Sequence, residues 1–333
     1  MPNKLKLVSP IFIFLHKVQI LKVYHNISDF KVEKPIVTMG MFDGIHLGHR
    51  MLLNRLKEVA ASEGGETVVL TFWPHPKLVL NPEIDYLFYL TTLDEKLKLL
   101  EDAGVEHVVV LRFTQEFANQ TACQFTESFL VGKLNIHYLI AGFNHHFGKD
   151  RRGSLEDLRS CADKHRFGLE KLRSFQKDGV EISSTYIREQ LEGGRIREAN
   201  TSLGYEYLIL GKVISGNRIG RSIGFPTANI EIEDSHKLTP GIGVYAVVVH
   251  FNGNQFFGML NIGYRPTIEE DRKIKNIEVH ILDFDGDIYG QEVSLIFKKK
   301  IREEQKFEDV AALKNQLEAD KINIRNYFGL NAE

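Results

Sequence analysis

Two histidines three positions apart are the first residues of this chain whose spacing could do chemistry. They lie in Gly40-Met41-Phe42-Asp43-Gly44-Ile45-His46-Leu47-Gly48-His49. The run Ile36-Val37-Thr38-Met39 before them reads as a buried strand. After them, Met51, Leu52, Leu56 and Val59 recur at helical spacing, so a helix should start near His46. Residues three apart share one helical face. A helix N-terminus offers free N–H groups and a positive dipole end to phosphate, and Gly48 lets phosphate approach the backbone. Two imidazoles placed there can donate hydrogen bonds to a charge-rich transition state. The competing use of paired histidines is zinc, which needs a third ligand. His75 is the only obvious candidate, and no cysteine or carboxylate stands at ligand spacing.

A second cluster is Ile182-Ser183-Ser184-Thr185-Tyr186-Ile187-Arg188. Three hydroxyls open a helix, and Arg188 offers a planar fork for phosphate oxygens. Capping of that helix is the other use of the hydroxyls. Joined to the paired histidines, phosphate binding is the better account.

A third cluster runs from Gly211 to Asn229, with glycines at 216, 220 and 224. Such a loop can cover phosphates. It lacks the GK[ST] ending of a Walker loop and the spacing of a dinucleotide fingerprint. Thr227 and Asn229 alternate on one strand face, and a hydroxyl and an amide oxygen suit Mg²⁺. Downstream, Glu278 interrupts an otherwise apolar strand, Ile277 to Phe284. It could accept the proton of an attacking hydroxyl, or simply be an exposed edge-strand residue. Asp283, Asp285 and Asp287 have their glycine misplaced for a calcium loop, so a hairpin turn explains them better.

The elements that must carry these residues fall into two grammars. Up to about residue 200, strands at 36–39, 67–72, 107–111 and 138–141 alternate with helices at 93–100, 114–130 and 155–165. That alternation predicts a parallel sheet covered on both faces. From about residue 205, strands at 207–213, 244–251, 256–262, 277–284 and 291–297 follow without helices between them. Turns at Asn252-Gly253 and Asp285-Gly286 join them, which predicts an antiparallel barrel or sandwich. One helix, with Phe307, Val310, Leu313 and Leu317 in a stripe, should pack on it. The boundary falls in the polar helical stretch Ile187 to Leu203, around Gly193-Gly194.

Composition bounds the function. The 333 residues carry 42 Lys plus Arg against 44 Asp plus Glu, a formal charge of -2. A general nucleic-acid binder would show a basic surplus, so anionic ligands must be held by local sites. Cys123 and Cys161 form no zinc or CxxC pattern and read as reduced structural thiols, consistent with a cytoplasmic location. Ile11 to Leu15 is too short an apolar run for a signal peptide core or a membrane span, and no other segment approaches membrane-spanning length.

The combined motifs resemble a known family, the bacterial bifunctional riboflavin kinase/FAD synthetases, whose first half belongs to the HxGH nucleotidyltransferase superfamily. Phe72-Trp73-Pro74-His75-Pro76 is similar to that family's flavin-side motif, and Gly142 to Lys149 to its later flavin and nucleotide loop. In the second half, the Gly220 to Asn229 run, Asn261-Ile262-Gly263 with Pro266-Thr267, and Glu278-Val279-His280 resemble riboflavin kinase domains. The match spans about residues 22–328 and leaves 1–21 outside as an extension.

The resemblance implies a Rossmann-like α/β adenylyltransferase domain over 22–200 and an antiparallel β-barrel kinase domain with a terminal helix over 201–333. It implies phosphorylation of riboflavin by ATP to FMN and ADP, then adenylylation of FMN to FAD and pyrophosphate, with Mg²⁺. For the first domain it implies that His46 and His49 are catalytic. Gly40, Phe42, Gly48, Ser183, Ser184, Thr185 and Arg188 would bind ATP, and His75, Pro76 and Asn144 the flavin. For the second it implies that Glu278 is the base and that Gly216, Gly220, Arg221, Gly224, Thr227 and Asn229 bind ATP. Thr227 and Asn229 would also serve the metal, and Arg302 and Phe307 the flavin. Two alternatives stay open: a kinase with a weakened adenylyltransferase half, or a nucleotidyltransferase with another acceptor. No nucleic-acid or membrane partner is expected, and no oligomer is required.

Overall fold

The structure, a computed structural model, describes residues 20–81, 83, 87–143, 155–215, 220, 223–264 and 275–330. Asn144, Gly216, Arg221 and the Pro266-Thr267 pair lie outside the described residues, as does most of the N-terminal extension. The chain divides into two compact units. One comprises 1–41, 52–80 and 97–173; the other comprises 42–51, 81–96 and 174–333.

Chain order in the α/β part is β1 (Lys22–Tyr24), β2 (Pro35–Met39), α1 (Leu47–Glu63), β3 (Glu66–Trp73) and α2 (Pro76–Leu80). It continues with α3 (Leu93–Asp102), β4 (His107–Arg112), α4 (Gln115–Ala118), α5 (Ala122–Phe125), β5 (Tyr138–Ala141), α6 (Leu155–His165) and β6 (Gly168–Lys171). In the first unit all six strands form one sheet in the order β1-β4-β3-β2-β5-β6. Every pairing is parallel, as the alternation predicts. All five residues of β2 are buried, which explains its unbroken apolar run. Val37 stands opposite Val68 on one side and Leu139 on the other, and all three are in the core. The order reverses between β2 and β5, and open sheets of this kind take ligands beyond the strand carboxyl ends at that reversal. The chain leaves β2 there, into Gly40.

The single helix expected over 114–130 is instead broken. The Thr114 hydroxyl accepts the Phe117 N–H at 3.1 Å and starts α4. The Thr121 hydroxyl accepts the Gln124 N–H, while the Gln124 side chain accepts the Thr121 N–H, which starts α5. That reciprocal box is a helix-start signal placed inside an otherwise helical apolar pattern. A wide turn of helix over Thr126–Val131 follows.

In the second unit a short hairpin, β7 (Gln176–Lys177) and β8 (Val180–Glu181), precedes α7 (Ser184–Glu192) and α8 (Ile196–Leu203). Gly193 and Gly194 separate these two helices, and Gly194 has φ +69. Strands β9 (Leu208–Ile214), β10 (Ala228–Glu231), β11 (Gly243–Phe251), β12 (Asn254–Tyr264), β13 (Lys275–Ile281) and β14 (Glu292–Arg302) then close a six-stranded barrel. Every pairing in it is antiparallel. Asn252 and Gly253 both have positive φ, as a two-residue hairpin turn needs. The turn expected at Asp285-Gly286 differs: residues 282–291 form a longer connection from β13 to β14. Its left-handed residues are Asp283 and Gly290.

The terminal helix α9 (Val310–Phe328) packs on the barrel, but only Leu317 of the predicted stripe belongs to the contact face. Val310 is exposed and Phe307 precedes the helix. The contact face is Leu317, Ile324 and Phe328, the last 4.3 Å from Phe257 between ring centroids.

Candidate active sites

The first site is built on a strained turn. Phe42, Gly44 and Ile45 have φ of +49, +83 and +37. Two of these are not glycine, a cost that a fold retains where local geometry serves function. At Gly44 a Cβ would also come within 2.7 Å of Leu90. The buried Phe42 ring packs 5.1 Å from His49.

The turn is held by Asp43, a residue whose type and spacing alone do not mark it as functional. Its buried carboxylate accepts the backbone N–H groups of Leu90 at 2.8 Å and Thr91 at 3.1 Å through Oδ1. Through Oδ2 it accepts Arg188 at 2.9 Å. The Thr91 hydroxyl in turn accepts the Gly44 N–H at 3.1 Å. An acidic residue between a strand end and a helix start is the only sequence signal of this role.

Helix α1 begins at Leu47, so His46 stands at its N-cap rather than in its first turn. Nδ1 of His46 accepts the His49 N–H at 3.4 Å, which leaves the proton on Nε2. The two imidazoles stack, with centroids 3.7 Å apart and planes 21° apart. Burial pushes His46 down to about 4 from its ordinary value, with Asp43 opposing the fall and Arg188 adding to it. His49 also falls well below its ordinary value, first through burial and then through His46 and Lys96. Both rings are therefore neutral hydrogen-bond donors at pH 7. His49 Nδ1 and Arg50 Nε are buried without a hydrogen-bond partner among the described residues.

On α7, the Ser183 hydroxyl caps the helix by accepting the Tyr186 N–H at 3.2 Å. The Ser184 hydroxyl donates to the Asp43 carbonyl at 2.9 Å. Thr185 is exposed. Ser184 and Arg188 thus both bond to Asp43, whose charge also acts on His46, and His49 stacks on His46. In the first unit, His75 Nδ1 accepts the Lys77 N–H at 3.1 Å, and Pro76 opens α2. Gly40 follows β2, its N–H donating to Leu70 at 3.0 Å.

The second site lies where β10 meets β13. Asn229 and Glu278 stand opposite each other across that ladder, and Asn261 opposes Glu278 from β12. The Thr227 hydroxyl is 3.4 Å from Glu278 Oε2, and Asn276 donates to Oε1 at 2.7 Å. Gly220 and Gly224 shape the approach: a Cβ at 220 would collide with the Phe225 carbonyl at 2.2 Å, and Gly224 has φ +89. Arg302 is fixed by the buried Asp320 of α9 at 2.8 Å, and its guanidinium lies 5.9 Å from the centre of the Phe307 ring. Among the described residues no group of three His, Cys, Asp or Glu side chains could hold a metal.

Family models match this chain twice, as FAD synthetase over residues 30–186 and as riboflavin kinase over 203–328. A bifunctional riboflavin kinase/FMN adenylyltransferase of Listeria monocytogenes is 40% identical over 293 residues, covering 88% of this chain and 92% of the relative. The chain belongs to the bifunctional riboflavin kinase/FMN adenylyltransferase family. The Escherichia coli K12 member of that family is 37% identical, over 94% of this chain and 98% of the relative. A crystal structure described as a macrolide-efflux protein from Streptococcus pneumoniae superposes with TM-score 0.83 at 33% identity, covering 92% of this chain and 99% of that one. That description is of the neighbour. No helix among the described residues of this family member is long and apolar enough to cross a membrane.

Proposed function

We propose that this chain phosphorylates riboflavin to FMN in its barrel domain, 201–333, and adenylylates FMN to FAD in its α/β domain, 22–200. The observation that supports adenylyl transfer is the pair of stacked, uncharged imidazoles at the start of α1, with a buried nitrogen awaiting a partner. A triphosphate oxygen is the natural acceptor for such donors.

In adenylyl transfer, an FMN phosphate oxygen forms a bond to the α-phosphorus of ATP. The bond from that phosphorus to the bridging oxygen breaks, and pyrophosphate leaves. The nucleophile is already an anion, so no base and no covalent enzyme intermediate are required. His46 and His49 donate hydrogen bonds to the phosphoryl oxygens as charge builds on them. Arg188, Ser183, Ser184 and Thr185 orient the triphosphate, and Gly40, Phe42 and Gly48 keep the turn open to it. His75, Pro76 and Asn144 serve the flavin side.

In the barrel, the ribityl 5′-hydroxyl of riboflavin attacks the γ-phosphorus of ATP. Glu278 accepts the hydroxyl proton, and ADP leaves. The hydroxyl of Thr227 and the amide of Asn229, set beside one carboxylate, suit a hard cation that keeps most of its ligands as water and phosphate. These residues would hold Mg²⁺, which offsets phosphate charge when bound. Gly216, Gly220, Arg221 and Gly224 belong to the loop over the phosphates, and Arg302 with Phe307 to the flavin side. A cytoplasmic enzyme fits these substrates.

The test is incubation of purified protein with riboflavin, ATP and Mg²⁺ and separation of the flavins by chromatography. FMN should appear first and FAD later. FMN alone, even with added FMN as substrate, would remove the adenylyl-transfer half of this reading. Unchanged riboflavin would remove the kinase half.

A further inference from the structure

Residues 87–96 fold within the second unit, although in sequence they lie between β3 and β4 of the parallel sheet. Tyr89 forms an isolated parallel bridge with Lys237. The Tyr89 N–H donates to His236, and the Leu238 N–H donates to Tyr89, both at 2.9 Å. The Tyr89 hydroxyl donates to Asp234. Beside this bridge the Lys237 side chain is buried, at 3% exposure for the residue. Its ammonium donates to the Leu90 carbonyl at 2.7 Å and to Glu95 at 2.6 Å, and lies 4.6 Å from the centre of the Tyr207 ring. Glu95 also accepts the Thr92 N–H at 2.9 Å.

Leu90 is therefore bonded on both sides. Its carbonyl accepts from Lys237, and its N–H donates to Asp43, the carboxylate that receives Arg188. A buried ion pair adds little net stability over an apolar filling of the same volume. The Lys237 ammonium is bonded to the carbonyl of the peptide whose N–H, that of Thr91, donates to Asp43.

We propose that Lys237, in the stretch matched by the riboflavin kinase model, is a positioning residue for adenylyl transfer, acting through the Leu90–Thr91 backbone on Asp43 and so on Arg188. This rests on the reading of the paired histidines and Arg188 as the adenylyl-transfer site. Part of the kinase-like sequence thereby serves the other reaction.

The experiment uses the full chain carrying Lys237→Met with Glu95→Gln, which removes both charges together and leaves neither buried alone. FAD formation from FMN and FMN formation from riboflavin are measured on one preparation, so the kinase rate reports folding. The kcat for adenylyl transfer should fall tenfold or more while the kinase rate stays within twofold. In an Arg188→Ala background, the same pair of changes should cost less than a further twofold. Adenylyl transfer within twofold of wild type, a parallel fall of both activities, or effects that multiply with Arg188→Ala would each overturn the proposal. Lys237→Arg is the second variant: it keeps the charge but not the paired contacts. It should lose adenylyl transfer to an intermediate degree with kinase activity intact, and an equal loss of both would count against the proposal. If wild type makes no FAD from FMN, the site reading fails instead, a result separate from any of these.

Discussion

The ring of His46 accepts the backbone N–H of His49, with Nδ1 3.4 Å from that nitrogen. One side chain therefore caps α1 through Nδ1 and carries its proton on Nε2. The two roles separate by substitution. In His46→Asn, the amide oxygen can still cap the helix, but no ring donor remains. We expect FAD formation from FMN to fall about 10²–10³-fold, the usual loss for one transition-state donor. Stability should change by less than about 1 kcal/mol, because asparagine is a good cap. His46→Ala should lose both. Steady-state rates and urea unfolding of the two variants check this, and full FAD output from His46→Asn would remove the ring from the chemistry.

The neutral state of these rings has a consequence for acid stability. Burial holds His46 at about 4, against an ordinary value of 6.5. Between those values the unfolded chain binds a proton that the folded chain refuses. Stability therefore rises with pH across that window and is lost as pH falls from about 6.5 toward 4. The His46 contribution is up to about 3 kcal/mol, and His49 and His280 act in the same direction. Urea unfolding at several pH values from 4.5 to 7.5 should show a shallower pH slope in His46→Asn than in wild type. Equal slopes would mean that His46 is not the group responsible.

The local parts of this molecule could be read from sequence, and the long-range parts could not. β2 and β3 are apolar runs with strand propensity, and the structure moves their expected limits by one residue at most. The histidine pair announces itself because its spacing, its glycine and its place before a helix coincide. The broken helix after Thr114 escapes because its apolar period continues across the Thr121 cap. The stripe expected on α9 holds at Leu317 but not at Val310, which lies before the turns that reach the barrel. Asp43, Glu95 and Lys237 meet from positions far apart in the chain. No periodicity or motif links them, since their pairing is set by where 87–96 folds.

Gly48 tests how tightly the His46 ring is held. A Cβ there would lie 3.2 Å from both Cε1 and Nδ1 of that ring. Its backbone is not left-handed, so alanine carries no conformational penalty and gains helix propensity. Gly48→Ala should thus change stability by less than about 1 kcal/mol. The ring must nevertheless shift, and a small displacement of a catalytic group can cost about 10²-fold in rate. The expected result is a well-folded protein with FAD formation reduced tenfold or more and riboflavin phosphorylation unaffected. Unchanged FAD formation would show that the ring can yield without loss.

Glu278 carries the corresponding test for the barrel. Thr227 lies 3.4 Å from one of its oxygens, and Asn276 donates to the other at 2.7 Å. A glutamine at 278 can retain one of these contacts, but its amide cannot take a proton from the attacking hydroxyl. Loss of a general base typically costs about 10²–10⁴-fold. Glu278→Gln should therefore lower FMN formation from riboflavin by that range, while FAD formation from supplied FMN stays near wild type. Supplying FMN separates the two reactions, because it bypasses the barrel step. Riboflavin phosphorylation at an undiminished rate would exclude Glu278 as the base. A matching loss of FAD formation would instead make it a residue that holds the second unit together.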